Sequence, residues 1–153
     1  MDAIAAGVAV DLPPGLSAFI RRGDLPPSWR RHPSLAVGRA VEGLIVDLRS
    51  ARGGVIVVSP RHLGLQRCEA ALNKRRTVRA HVTGVNRGGL VAEVDGLGGF
   101  LPRPELRPKD ALRYADLVGT TVRAYVIRVS RQQAILSAFP PRVRRRRGYG
   151  PDS

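Results

Sequence analysis

Hydrophobic and polar positions alternate most regularly between Val78 and Asp95. Val78, Ala80 and Val82 alternate with Arg79, His81 and Thr83, and Leu90, Ala92 and Val94 alternate with Val91, Glu93 and Asp95. A period of two sends one set to a buried face and the other to solvent, so each run predicts a half-buried strand. Gly88 and Gly89 break the two runs apart. Residues 96–99, rich in glycine, predict a tight turn because glycine enters positive φ without a Cβ clash. Phe100 and Leu101 open a third short strand that Pro102 and Pro104 end. The expected unit is a three-strand meander. Further on, Val122, Ala124 and Val126 alternate with an outward Tyr125.

The pattern is written twice. GLSAFI at residues 15–20 mirrors GLGGFL at residues 96–101, an offset of 81 that also carries Asp24-Leu25 onto Glu105-Leu106, Pro27 onto Pro108 and Val37-Gly38 onto Val118-Gly119. Val57-Val58-Ser59 matches Ile135-Leu136-Ser137 at an offset of 78, which puts three extra residues in the last hairpin of the first copy. Gly7 matches Gly89 and Asp11 matches Glu93 at an offset of 82, so Met1 falls opposite Thr83. A register held this long implies two copies of one unit. The first copy is expected to lack the strand at residues 78–82, through a truncated chain, a misplaced start, or a degenerate repeat completed by something else. The first two together account for it best. A remnant of four strands leaves unpaired edges, so the first copy is expected to be the less stable.

Between the copies, Ser59 before Pro60 suits an N-cap followed by the first helical position. Leu65, Cys68 and Leu72 then fall three and four apart, predicting a linker helix over residues 60–74 with Cys68 on its buried stripe. The segment 26–35 carries three prolines that deny it ladder hydrogen bonds and is expected to be a loop, with Trp29 covering an open barrel end. After Phe139 the chain reads PPRVRRRRGYGPDS, a composition that cannot pack a core and predicts a disordered basic tail.

An RGGL turn, an acidic strand and then GGFLP, followed by a connection over residues 110–116, Val118-Gly119 opening a strand over 122–129, and a last strand ending in Leu136-Ser137, resembles the RNA-binding repeat of bacterial ribosomal protein S1. The resemblance spans about 60 residues and implies a five-stranded barrel of the oligonucleotide/oligosaccharide-binding (OB) class. The fold it implies is all-β: two small OB-type barrels, the first without its first strand, joined by a linker helix. The boundaries are 1–59 for the incomplete first repeat, 60–76 for the linker, 77–139 for the second repeat and 140–153 for the tail. In that family the binding face carries two aromatics, a histidine, an aspartate and an arginine. On the second repeat these positions fall at Arg87, Leu90, Pro102, Ser130 and near Gln133, a departure at every one. On the first, the histidine position is Arg21, the aspartate lies near Arg49, and the arginine is kept near Arg52.

Charge points the same way. The 153 residues hold 26 basic against 12 acidic side chains, a net +14, and all but Lys74 and Lys109 of the basic ones are Arg. Such a balance favours polyanionic partners. Arg stacks on bases and forks onto phosphates as Lys does not, although a GC-rich gene produces the same excess. A single Cys rules out an intramolecular disulfide or a Cys-built metal site. No apolar run approaches the roughly 20 residues needed to span a bilayer, and the N-terminus lacks a basic leader, so a cytoplasmic location is expected.

Chemistry beyond binding is not expected. His32, His62 and His81 have no metal-ligand spacing, the carboxylates are dispersed, and the glycines at 96–99 precede a strand rather than a helix. The reading is a binding protein without catalytic residues, cofactor or metal. It would hold single-stranded RNA, by resemblance mRNA at the small ribosomal subunit, with no membrane or small-molecule partner. The candidate contacts are Phe19, Arg21, Arg22, Arg49 and Arg52 in the first copy, and Arg87, Phe100, Arg103, Tyr125, Arg128 and Arg131 in the second. Arg144, Arg145, Arg146 and Arg147 join them from the tail. The alternative is a protein-interaction module docking on the ribosome or on an RNA-processing enzyme, with RNA contact secondary.

Overall fold

The computed structural model describes residues 3–4, 7–12, 16–49 and 55–141. Its strands are β1 (Ala3–Ile4), β2 (Gly7–Leu12), β3 (Leu16–Arg21), β4 (Leu44–Arg49), β5 (Val55–Ser59), β6 (Thr77–Asn86), β7 (Gly89–Val94), β8 (Leu97–Pro102), β9 (Thr121–Val129) and β10 (Gln133–Ser137). Its helices are α1 (Pro27–Arg30), α2 (Pro60–Lys74) and α3 (Pro108–Ala111). Strands β6 to β10 close into a barrel in the order β6-β7-β8-β10-β9, while β1 to β5 form an open sheet in the order β1-β2-β3-β5-β4. The two orders are the same. The short elements also recur at the offset of 81: β3 onto β8, the 3-10 turn Arg22–Asp24 onto Arg103–Glu105, α1 onto α3, and the turn Pro33–Ala36 onto Tyr114–Leu117.

The barrel closes through β6 and β9, which pair from Thr77↔Tyr125 to His81↔Thr121. Among the described residues the first sheet shows no such closure, so where a second barrel was expected there is an open sheet of the same strand order. Its first strand is not wholly missing, as expected, but present as a stub. Ala3 pairs with Val8 and Ile4 with Gly7, as Val85 pairs with Leu90 and Asn86 with Gly89. The stub therefore matches only the last two residues of β6. Residues 40–43 stand opposite 121–124 at the repeat offset, yet only the latter are strand. They have β6 to pair with, whereas the described part of β1, Ala3–Ile4, pairs with β2 alone.

One close approach is common to both units. A Cβ on Gly7 would fall 2.1 Å from the carbonyl oxygen of Ile20, and one on Gly89 would fall 2.1 Å from that of Leu101. Only glycine lets the second strand cross the third at that distance.

Three local expectations are revised. The β7–β8 turn is not spread over residues 96–99 but is the two residues Asp95 (φ 49°) and Gly96 (φ 95°), with Val94 pairing directly with Leu97. Two successive left-handed residues give the hairpin turn whose twist matches the strands, and Asp-Gly supplies it. Segment 26–35 is not simply loop: Pro27 and Pro33 start short helical turns, where a missing N–H is no loss. The buried face of α2 is Leu63, Gly64, Cys68 and Ala71, with Leu65 and Leu72 at its margin. Gly64, which looks like a weak point in a helix, is where α2 presses on the barrel: a Cβ there would lie 2.6 Å from the carbonyl oxygen of Val94.

The cap of α2 follows its sequence. Ser59 Oγ accepts from the His62 N–H at 3.0 Å, and Arg75 turns into the left-handed region (φ 54°) so that Arg76 N–H reaches the Ala71 carbonyl at 2.9 Å. Cys68 and Ala71 join the core built by Val82, Leu90, Val94, Leu97, Leu101, Val126 and Leu136. A separate core under the first sheet comprises Val8, Val10, Ala18, Ile20, Leu25, Ala36 and Val58, with Trp29 packed half-buried against it. Trp29 also lines a cleft between the two units, with Pro26, Pro60, Leu63 and Gly96. No described helix is long and apolar enough to cross a membrane.

Candidate nucleic-acid interface

In five-stranded barrels of this strand order, oligonucleotides lie on the outer face of strands two and three, between the loops joining strands one-two and four-five. Here those parts are β7, β8, loop 87–88 and loop 130–132. Along β7 the buried residues Leu90, Ala92 and Val94 alternate with Val91 and Glu93; along β8, Leu97, Gly99 and Leu101 alternate with Gly98, Phe100 and Pro102. Register then fixes who stands beside whom. Val91 pairs with Phe100, Phe100 with Ile135 of β10, and Ile135 with Arg128 of β9. The outer wall therefore carries a strip of apolar residues across three strands, half-exposed at Phe100 and ending in an exposed guanidinium. That settles the side on which Phe100 lies: the ring faces out.

The strip is framed at its other end by loop 87–88. Asn86 Oδ1 accepts from the backbone N–H of Gly88 (2.8 Å) and of Gly89 (3.1 Å), which fixes the loop from its first residue. The Gly88 carbonyl accepts from Arg103 N–H at 2.7 Å. Gly88 also sits over the edge of Phe100, where a Cβ would be 3.2 Å from Cζ. The exposed side chains of Arg87 and Arg103 therefore start from two backbone segments bonded to each other beside the aromatic ring. The Arg103 guanidinium lies over the ring of Tyr114, 4.7 Å from its centroid. Tyr114 escaped the sequence reading: its position in a 3-10 turn gives no strand parity, and only the fold brings it to β6.

The next row of the same wall, Glu93 and Gly98, is occupied from within the chain. Glu93 accepts from the Ser28 N–H at 2.6 Å and from its hydroxyl at 3.1 Å. Pro27 Cγ stands 3.4 Å from where a Cβ on Gly98 would be. Beside this contact, Arg61 of α2 bridges the units: its Nη2 and Nε lie 3.1 and 3.3 Å from Asp24 Oδ1, and its Nη1 donates to the Arg131 carbonyl at 2.6 Å. The outer face of β7 and β8 is thus open at the Val91–Phe100 row and covered at the Glu93–Gly98 row.

The remaining expected contacts scatter. Leu90, onto which an aromatic position was carried, is 0% exposed and belongs to the core, because β7 parity turns it inward; it cannot stack on a base. Tyr125 pairs with Thr77 and Ser137, away from the Phe100 row. Arg131 stands in loop 130–132, exposed. In the first unit, Phe19 is half-buried on the outer face of β3 and Arg21 is exposed at its end. Arg21 is bound to Asp24 (2.7 Å), and Arg22 donates to the carbonyls of Arg30 (2.8 Å) and Arg31 (3.1 Å), so both guanidinium groups serve local structure. Arg49 ends β4 opposite Val55. Arg52, Arg144, Arg145, Arg146 and Arg147 lie outside the described residues. Among those described, no group of three or more His, Cys, Asp or Glu is placed to hold a metal ion.

Residues 72–139 match the family model of the S1 RNA binding domain. The chain is 31% identical over 101 residues to the small ribosomal subunit protein bS1B of Synechocystis, a match covering 63% of this chain and 32% of that protein. It is 34% identical over 82 residues to the small ribosomal subunit protein bS1 of Synechococcus elongatus, covering 51% and 27%. The matched stretches thus span about a third or less of these relatives. A solved multidomain protein with nucleic acid binding domains from Streptococcus pneumoniae aligns over 89% of this chain and 47% of its own, at 19% identity and a TM-score of 0.36.

Proposed function

We propose, from the S1 RNA-binding domain at residues 72–139, that this chain binds single-stranded RNA along the open row of the barrel wall. The observation that carries the proposal is the strip Val91, Phe100, Ile135 and Arg128, flanked by Arg87 and Arg103. An apolar ring for a base, with guanidinium groups on either side for phosphates, is the composition that holds single strands without strict sequence preference. The first unit, with its equal strand order and recurring short elements, is an incomplete second copy of the same repeat. Its Phe19 and the Arg-rich tail add further contacts. The setting is translation in the cytoplasm, with the chain holding mRNA at the small ribosomal subunit.

A second reading, docking on a protein of the ribosome with RNA contact secondary, is favoured by one observation: the position at Leu90 is core, so the wall carries fewer stacking groups than the family pattern. One experiment separates the two. Fluorescence anisotropy of a labelled oligouridylate is followed at two salt concentrations. If about five phosphates are contacted, a fourfold rise in salt weakens binding roughly a hundredfold, from a slope of ~0.7 per contact on single strands. Binding indifferent to salt, or none at micromolar protein, supports the docking reading instead.

A further inference from the structure

The geometry points to Tyr114 as the positioning residue that presents Arg103 as a flat stacking platform for one nucleobase at the edge of the Phe100 strip. This rests on the RNA-binding reading and adds to it a group outside the family's aromatic positions. Five contacts carry it. The Tyr114 hydroxyl donates to the Asn86 carbonyl at 3.1 Å, which pins the half-buried ring to the end of β6. The Arg103 guanidinium lies over that ring at 4.7 Å. Arg103 N–H is held by the Gly88 carbonyl at 2.7 Å, and the same loop is locked by the Asn86 side chain. An exposed arginine ordinarily samples many rotamers. Here the guanidinium carbon is held 4.7 Å over the centre of an aromatic ring, a cation–π contact made by a residue that is itself exposed. A guanidinium plane so held stacks on a base as an ammonium cannot. Tyr114 and Arg103 together thus supply a stacking surface where Arg87 and the buried Leu90 supply no aromatic ring.

The test uses two polyanions, an oligoadenylate and inorganic polyphosphate, which share phosphate charge but differ in having bases. Arg103→Lys keeps the charge and removes the plane, at an exposed site where folding is not at stake. It is expected to weaken oligoadenylate binding about fivefold and to leave polyphosphate binding within about twofold. Tyr114→Leu is expected to show the same base-dependent loss, and Tyr114→Phe, which keeps the ring, to restore most of it. Equal affinity of Arg103→Lys and the original chain for oligoadenylate overturns the inference while leaving RNA binding intact, and so does an equal loss on both polyanions. An original chain that binds neither polyanion fails the RNA-binding reading and takes the platform with it.

Discussion

Glu93 accepts two hydrogen bonds from Ser28, one from its backbone and one from its hydroxyl, across a sequence separation of 65 residues. This contact seats α1 of the first unit on the outer wall of the barrel formed by the second unit and, with the Asp24–Arg61–Arg131 bridge, makes the two units one packed body at that edge. It also decides how much of the outer face of β7 and β8 is free.

Breaking the bridge should cost more than breaking the seat. Asp24 is 3% exposed, so Arg61→Ala removes a partner from a carboxylate shielded from water and breaks the tie to the Arg131 carbonyl in loop 130–132. A loss of about 2 kcal/mol is expected in urea denaturation, with Arg21 still holding Asp24 from the other side. Glu93→Ala, at a more exposed contact, is expected to lose about 1 kcal/mol.

Gly7→Ala and Gly89→Ala are expected to destabilise in parallel, by about 3 kcal/mol each, because the added methyl meets a carbonyl oxygen of the next strand in both units. Gly84→Ala is the control. Its nearest neighbour would be Val91 Cβ at 4.0 Å, and its stability should stay within about 0.5 kcal/mol of the original. Chemical denaturation midpoints read all three.

On the RNA side, Phe100→Ala and Arg128→Ala are expected to differ in kind. Loss of the ring weakens binding about tenfold with the salt slope unchanged, since stacking carries no counterions. Loss of the guanidinium lowers the slope by ~0.7. Tyr125→Ala, off the Phe100 row, should leave both quantities where they were. Anisotropy titrations over a salt series measure all of these.

The Cys68 thiol is pushed up to about 12 from an ordinary 9.0, first by burial and then by the nearby charges of Asp95 and Glu69. It therefore stays protonated near neutrality, and alkylation by iodoacetamide is expected only on unfolding. The sign of the pH effect follows. Above pH 9 the unfolded thiol releases its proton while the folded one keeps it, so the unfolded state gains. Stability from this group is complete below pH 9 and is lost as pH rises from 9 towards 12, a window that denaturation at stepped pH reads directly.

Much of this was legible along the chain. Alternation at Leu90, Ala92 and Val94 determined which face of β7 is buried, because a period of two has only one way to fit a barrel wall. Ser59 before Pro60 determined where α2 begins, because both residues act through their own backbone. The recurrence of Gly15-Leu16 and Gly96-Leu97 determined that one strand order would appear twice. These are local signals, carried within a few residues of where they act. The tertiary structure alone decided the rest. It turned Phe100 outward, which two apolar residues before a proline do not reveal by parity, and it set Gly64 against the Val94 carbonyl. It put Tyr114 under Arg103, and it laid Ser28 on Glu93. Each of these joins groups that are distant in sequence and complementary only in space, so no periodicity or composition records them.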